Sequence, residues 1–442
     1  MRRALAAALL ALCRAACADE AVAAAEAIEP PEDWSLHGQA TWITQKKPAF
    51  DAAYSGPHSL SPDAEHAYSF TATLFAGARL WHGGEAYVNL EAIQGHPFSS
   101  QTGLGSFPNA ELQKAADSVL NWYRARLFLR QTFGFGGGDE ALEADANQLR
   151  QTVDKRRLVV TAGQMAVGDL FDDNRYSHDP RTDFQNGALL SSGAYDYASD
   201  ARGYTWGIAA EWHDVDWAIR AARFLQPKEP NGLELDTDIG SHYGDQVEYE
   251  HALAIAGRPG RARVLVFHNV AIMGRFRDAL DLAAQTGQPP DVALVRKRND
   301  KWGVAGNLEQ EIADDIGIFV RGSWSQGQTE VYAFAEIDRS AALGTVIGGS
   351  RWGRKDDQLG FAYVANGLSD AHRDYLAAGG IGFFVGDGRL DYGPEQAFEA
   401  RYGVSLGKHF VVGADYQHVL HPGFNRDRGP ANFYGLRLHA EF

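Results

Sequence analysis

The residues with the strongest chemical character lie in the run RARLFLRQT. Strict alternation there puts Arg124, Arg126, Phe128 and Arg130 on one face and Leu127 and Leu129 on the other. Guanidinium groups stay charged and donate forked hydrogen bonds, so such a ladder grips vicinal hydroxyls or carboxylates. The competing reading is that these arginines pair with acids on neighbouring strands and only stiffen a wall. YVNLEA adds Asn89 and Glu91 opposite Val88 and Leu90, and Arg79 faces the same way on the preceding strand. Arginine on one side and carboxylate on the other set a transverse field that orients water and hydroxyls. Simple ion pairing accounts for the same residues equally well.

The segment DLFDDNRYSHDPRTD holds Asp169, Asp172, Asp173 and Arg175 in the longest connection. If that connection folds inward, these residues face solute. Asp172, Asp173, Asn174 and Asp179 are oxygen donors of the kind calcium takes, but neither the EF-hand spacing nor its bidentate glutamate is present. An Asx-rich turn is the simpler reading, and no metal is assigned. Trp42, Trp81, Tyr123, Trp206, Trp212, Trp217, Trp302 and Trp324 lie on or near strand ends, where they suit an interfacial girdle; one or two can serve as stacking platforms instead. There is no G-x-S-x-G, H-E-x-x-H, P-loop or cysteine metal motif. No catalytic residue and no cofactor are assigned.

The elements that must position these side chains are strands. Tyr434, Leu436, Leu438, Ala440 and Phe442 alternate with Phe433, Gly435, Arg437, His439 and Glu441; Phe398 to Leu406 and Phe410 to Tyr416 repeat the pattern. Candidate strands fall near 34–45, 66–80, 84–94, 122–133, 157–166, 202–213, 215–225, 244–256, 262–270, 301–312, 315–325, 340–351, 357–366, 395–406, 409–418 and 432–442. That makes sixteen. Their connections alternate between short and long, as in bacterial barrels with short periplasmic turns and long outer loops. One connection breaks the parity: 134–156 is periplasmic by count yet long, and ALEADANQLRQ within it has helical composition. Ala110 to Asp117, Phe276 to Thr286 and Ser369 to Ala378 also read as helical. The expected fold is all-β, a transmembrane antiparallel β-barrel of about sixteen strands.

Composition agrees with that fold. The chain has 442 residues, 48 of them glycine. Mean hydropathy is −0.32. After the N-terminus no apolar run approaches the ~20 residues a membrane helix needs. Barrel strands escape that criterion because only alternate side chains meet lipid. A net charge of −16 argues against nucleic acid as a partner. Residues 1–18 read as a secretory leader: Arg2 and Arg3, an apolar stretch from Ala4 to Leu12, then Ala16-Cys17-Ala18, with cleavage as late as 27 also fitting. A short lead-in, 19–33, precedes a barrel over 34–442. Both cysteines, Cys13 and Cys17, fall in the leader, so no disulfide framework is expected.

Several segments resemble the carbohydrate-selective porin family (OprB type) of Gram-negative outer membranes. They include HGQATWITQKKPAFDAAYSGPHSL, ARLWHGGEAYVNLEAIQG, FPNAELQK, DLFDDNRYSHDPRTDFQN, GPEQAFEARY and FNRDRGPANFYGLRLHAEF, in order from about residue 34 to the end. Leu90 and His96 depart from the pattern, where a proline and a glycine would be expected. The resemblance implies passive diffusion of mono- or small oligosaccharides and no cofactor. The partners expected are small sugars, outer-membrane lipid and the barrel assembly machinery during insertion, whose signal the terminal Phe442 resembles. Monomer and homotrimer both stay open. Two alternatives are a barrel enzyme acting on lipid or polysaccharide, and a surface-polysaccharide-binding barrel.

Overall fold

The computed structural model describes residues 30–442. The expected secretory leader and both cysteines lie outside them.

Side-chain alternation becomes a two-sided wall. In the last strand Phe433, Arg437 and His439 are buried on the inner face, while Tyr434, Leu436 and Leu438 are exposed on the outer one. In chain order the strands are β1 (Trp34–Lys47), β2 (Glu65–Trp81), β3 (Gly84–His96), β4 (Asn121–Gly134), β5 (Asp139–Leu142), β6 (Gln151–Asp154), β7 (Arg157–Met165), β8 (Thr205–His213) and β9 (Trp217–Phe224). They continue as β10 (Tyr243–Ile255), β11 (Arg258–Met273), β12 (Lys297–Ala313), β13 (Ile316–Ser325), β14 (Arg339–Gly348), β15 (Gln358–Gly367), β16 (Glu395–Ser405), β17 (Phe410–Leu420) and β18 (Ala431–Glu441). All but β5 and β6 join one closed barrel, so sixteen strands form the wall. The seam is β1 against β18, with Ala40 opposite Ala440 and Trp42 opposite Leu438. Closure leaves no unpaired strand edge in hydrocarbon, the condition for crossing a membrane with strands.

Two expectations about the connections fail. The segment 134–156 is not helical: β5 and β6 pair as a hairpin, Asp139 opposite Asp154 and Leu142 opposite Gln151. Its composition favours a helix, but Leu149 is fully buried with Tyr87 and Phe128, and Gln151 Nε2 donates to Glu85 Oε1 at 2.6 Å. Those wall contacts override propensity. Ala110 to Asp117 is also irregular. Asn109 Nδ2 donates to Ser69 Oγ, Gln113 Nε2 to Glu91 Oε1 and Lys114 Nζ to Asn231 Oδ1, on three parts of the barrel that one helix face cannot reach together. The other two helices form as Phe276–Thr286 and Asp370–Ala377.

The interior is filled from the outer end. The connection 166–204 descends into the barrel, and wall side chains satisfy its backbone. Arg437 donates to the carbonyls of Pro180 (2.8 Å), Thr182 (2.7 Å) and Asp183 (2.8 Å). Arg321 donates to those of Leu189 (2.6 Å) and Ser177 (2.8 Å). Glu399 accepts from the amides of Gln185 (2.6 Å) and Asn186 (2.9 Å), and Glu248 from that of Asp172 (2.8 Å). Around these polar staples lies an apolar core within the barrel, including Phe184, Leu189, Phe319, Phe334, Leu376 and Phe384.

The two helices pack together over this core. His372 is buried there, its ring stacked 4.3 Å from that of Phe276. Nδ1 lies 2.9 Å from Asp338 Oδ2 and Nε2 lies 3.4 Å from Glu336 Oε1. Burial opposes its charge, but the two carboxylates win and raise its pKa from 6.5 to about 9. The stabilisation is therefore complete below about pH 6.5 and is lost as pH rises through about 9. Asp338 is held below the usual carboxylate range, since His372 outweighs the burial that would raise it, so its share survives on the acid side until pH falls beneath that range.

Two outcomes follow. Hydrogen exchange of the amides in Asp370–Ala377 should quicken between neutral pH and about pH 9, beyond the intrinsic base catalysis, and His372→Gln should abolish that excess. Arg437→Met leaves three loop carbonyls without their donor, at a cost on the order of 3 kcal/mol. Limited proteolysis should then cut within 166–204 while the barrel keeps its heat-modifiable migration; an uncut loop would contradict the staple.

Candidate functional site

The inserted connection meets the part of the wall formed by β2, β3, β4, β7 and β8 through polar side chains. The polar residues that converge there are organised by Glu91. This carboxylate is fully buried and accepts from Thr73 Oγ1 (2.8 Å), Gln113 Nε2 (2.9 Å), Arg181 Nη2 (3.2 Å), Tyr204 OH (3.3 Å) and the Tyr123 hydroxyl. Arg181 also donates through Nε to Glu111 Oε1 at 2.8 Å. Burial works against its charge, yet Glu111, Asp179 and Glu91 raise its pKa well above the ordinary arginine value. It remains a cation at any physiological pH.

Two aromatic rings lie beside these groups. Tyr123 and Tyr204 have centroids 6.1 Å apart. The Arg126 guanidinium sits 5.1 Å from the Tyr204 ring and the Arg202 guanidinium 4.6 Å from the Tyr123 ring. Asp169 holds Arg126 in a forked pair, with Nε to Oδ2 at 2.7 Å and Nη2 to Oδ1 at 2.6 Å. Lys114 stands close by, donating to Asn231 Oδ1 (2.6 Å) and the Ala333 carbonyl; burial lowers its pKa to about 8 against the pull of Asp196 and Asp200. The result is a set of fixed donors beside two ring faces.

The ten residues singled out from sequence separate into groups. Arg126 and Asp169 belong to this cluster. Glu91 is at its centre but buried, so it aligns the donors rather than meeting solute. Asn89 is fully buried, and both its amide atoms lack a hydrogen-bond partner among the described residues, so it does not line an open lumen. Asp172 is buried and structural, contacting Ser192, Asn307 and Arg321. Arg79 sits at the periplasmic rim near Asp33 and Glu85. Arg130 lies lower on the wall, 5.2 Å from the Tyr87 ring. Asp173 and Arg175 face the periplasmic vestibule, where they border a cavity of about 420 Å³. Among the described residues no group of three or more His, Cys, Asp or Glu side chains is disposed to hold a metal ion.

Arg124 requires a correction. A β-bulge at Ala125 breaks the alternation: Asn89 faces Arg126, but Leu90 faces Arg124. One extra residue flips every side chain beyond it to the other face. Arg124 therefore turns outward beside Gln164 (Nε to Oε1, 2.9 Å) and 5.5 Å from the Trp206 ring. The same slip carries Tyr123 inward, off the girdle where its position would place it. Arg181, Arg202, Tyr204, Glu111 and Lys114 were missed, because they come from irregular connections without periodicity. The one signal, the charged stretch DLFDDNRYSHDPRTD of the longest connection, covers Arg181 alone.

Below the cluster, open toward the periplasmic end, lie cavities of about 350 and 500 Å³. Asp169 borders the first, and Arg126 and Arg181 border the second.

No curated protein matches the chain. Among solved structures, the high-pH structure of Pseudomonas putida OprB superposes with a TM-score of 0.71 at 16% identity, covering 93% of this chain and 94% of that one. The low-pH structure of the same protein gives a TM-score of 0.50 at 11% identity, covering 93% of each. At such identities the likeness concerns the fold. The model of the carbohydrate-selective porin, OprB family matches residues 57–442. With that match over most of its length, on a closed sixteen-strand barrel, the chain belongs to the OprB family of carbohydrate-selective porins of the outer membrane.

Proposed function

We propose that mono- and small oligosaccharides cross this outer-membrane porin between the inserted connection and the wall of β2, β3, β4, β7 and β8. The observation that carries the reading is the pair of tyrosine rings, Tyr123 and Tyr204, flanked by Arg126, Arg181 and Arg202. A pyranose has apolar C–H faces and an equatorial belt of hydroxyls. The half-buried Tyr123 ring receives a face, the buried Tyr204 ring backs it and holds Arg126 beside it, and the guanidinium groups donate to vicinal hydroxyls. Arg126 and Arg181 are already engaged with Asp169, Glu91 and Glu111, so a sugar exchanges partners rather than adding new bonds in full. That keeps binding weak enough for release, which conduction requires. Membership of a channel family leaves no role for the barrel-enzyme alternative. The exposed apolar chains of the outer wall are read as the lipid surface. The last strand, whose Phe442 exchanges backbone hydrogen bonds with Gly38 (2.9 and 3.0 Å), is read as the element presented to the assembly machinery.

Planar-bilayer recordings with maltose as the probe test the path. Arg126→Ala should weaken sugar block by about 1–2 kcal/mol, roughly a tenfold rise in the half-blocking concentration. Tyr204→Ala should weaken block similarly, whereas Tyr204→Phe, which keeps the ring, should block like wild type. Unchanged block in both Arg126→Ala and Tyr204→Ala would place the path elsewhere.

A further inference from the structure

The periplasmic hairpin that breaks the parity of short turns does not hang free below the barrel. Gly136, Gly137 and Gly138 all have positive φ (77°, 87° and 95°), a run open to glycine alone at little cost, and they reverse the chain as it leaves β4. The stem β5–β6 then carries residues 143–150 across the mouth. Leu149 anchors it against Tyr87 and Phe128, and the Leu149 amide donates to Tyr87 OH at 3.1 Å. Arg150 Nη2 and its amide donate to Glu32 at 2.7 and 2.9 Å, so the stretch preceding β1 clasps the hairpin. Arg130 Nη1 donates to the Asn147 carbonyl at 2.9 Å. These contacts hold the tip in place.

That tip borders both cavities beneath the constriction. Asp145, Ala146 and Asn147 line the cavity of about 350 Å³ with Arg130 and Asp169, and they also line the cavity of about 500 Å³ with Arg126 and Arg181. Asp145 is exposed, and among the described residues its carboxylate accepts from the neighbouring Ala146 amide alone, at 2.7 Å. The Asn147 side-chain oxygen is buried with no hydrogen-bond partner among the described residues. We propose that the tip Asp145–Asn147 is a second selectivity element: it divides the exit into two polar routes and offers the exposed Asp145 carboxylate as a subsite for sugar hydroxyls leaving the constriction. Asp145 faces Arg126 and Arg181 across the larger cavity, so it supplies the acidic side of a transverse field there. This rests on transport through the cluster described above, and it adds residues from the side of the barrel where short turns are the rule.

The test uses the full barrel in planar bilayers under a KCl gradient, with maltose as the sugar probe. Asp145→Lys should move the reversal potential toward anions, with Asp145→Asn between it and wild type. Ala146→Trp should cut single-channel conductance by roughly half, by narrowing both routes at once. Ala146→Cys treated with a cationic methanethiosulfonate reagent should show a stepwise loss of current, slowed by maltose. Heat-modifiable migration checks that each variant has folded. Folded Asp145→Lys and Ala146→Trp channels with wild-type reversal potential, conductance and sugar block would overturn the proposal. A wild-type chain that inserts without conducting would overturn the transport path itself, a result distinct from a conducting channel indifferent to its tip.

Discussion

A charged side chain pointing into a filled barrel must find a partner, and here the partners are peptide groups. Arg321 and Arg437 are almost completely buried on the inner wall, and their guanidinium groups end on carbonyl oxygens of the inserted connection. Glu248 and Glu399 do the converse, accepting its amides. An irregular segment cannot satisfy its own backbone, and a buried guanidinium cannot remain unpaired. Each requirement meets the other. Because the fork of an arginine has fixed geometry, the staples set the connection's position as well as its stability.

The location of the proposed constriction follows from where those staples are. They come mostly from β10 to β18, so the backbone of the connection is tied to that side. On the opposite side the wall presents Glu91, Arg126 and Tyr123, which meet Arg181, Tyr204 and Asp169 of the connection through polar and ring contacts. Glu91 then does for the polar cluster what Glu399 does for the backbone: one buried carboxylate gathers several donors and fixes their directions. Donors fixed in this way present hydroxyl-binding groups without collapsing onto one another.

The wall was legible in the sequence to within a few residues at most strand ends. A closed sheet between hydrocarbon and a polar interior imposes a two-residue period, and that period survives in Phe398 to Leu406 and Phe433 to Phe442. The site was legible only in part. Arg126 and Asp169, singled out from the strand pattern and from the charge of its loop, do meet in the cluster that the proposed path uses. Arg124 was misplaced because a bulge leaves no mark in composition, and the alternation reads straight through Ala125. Arg181 and Tyr204 lie in a segment whose shape is dictated by distant strands.

What the residues and their spacing settled was the solvent on each side of most strands, the number of strands in the wall and the ends at which the long connections emerge. Those properties are local, since each depends on neighbouring residues and the lengths between them. Only the folded chain settled how the longest connection is held inside the barrel, which arginines serve as its staples, and that the segment 134–156 forms a hairpin. Those outcomes depend on contacts between residues as far apart as Gln185 and Glu399, or Glu32 and Arg150. The energy of such contacts exceeds local propensity, and no spacing along the chain records them.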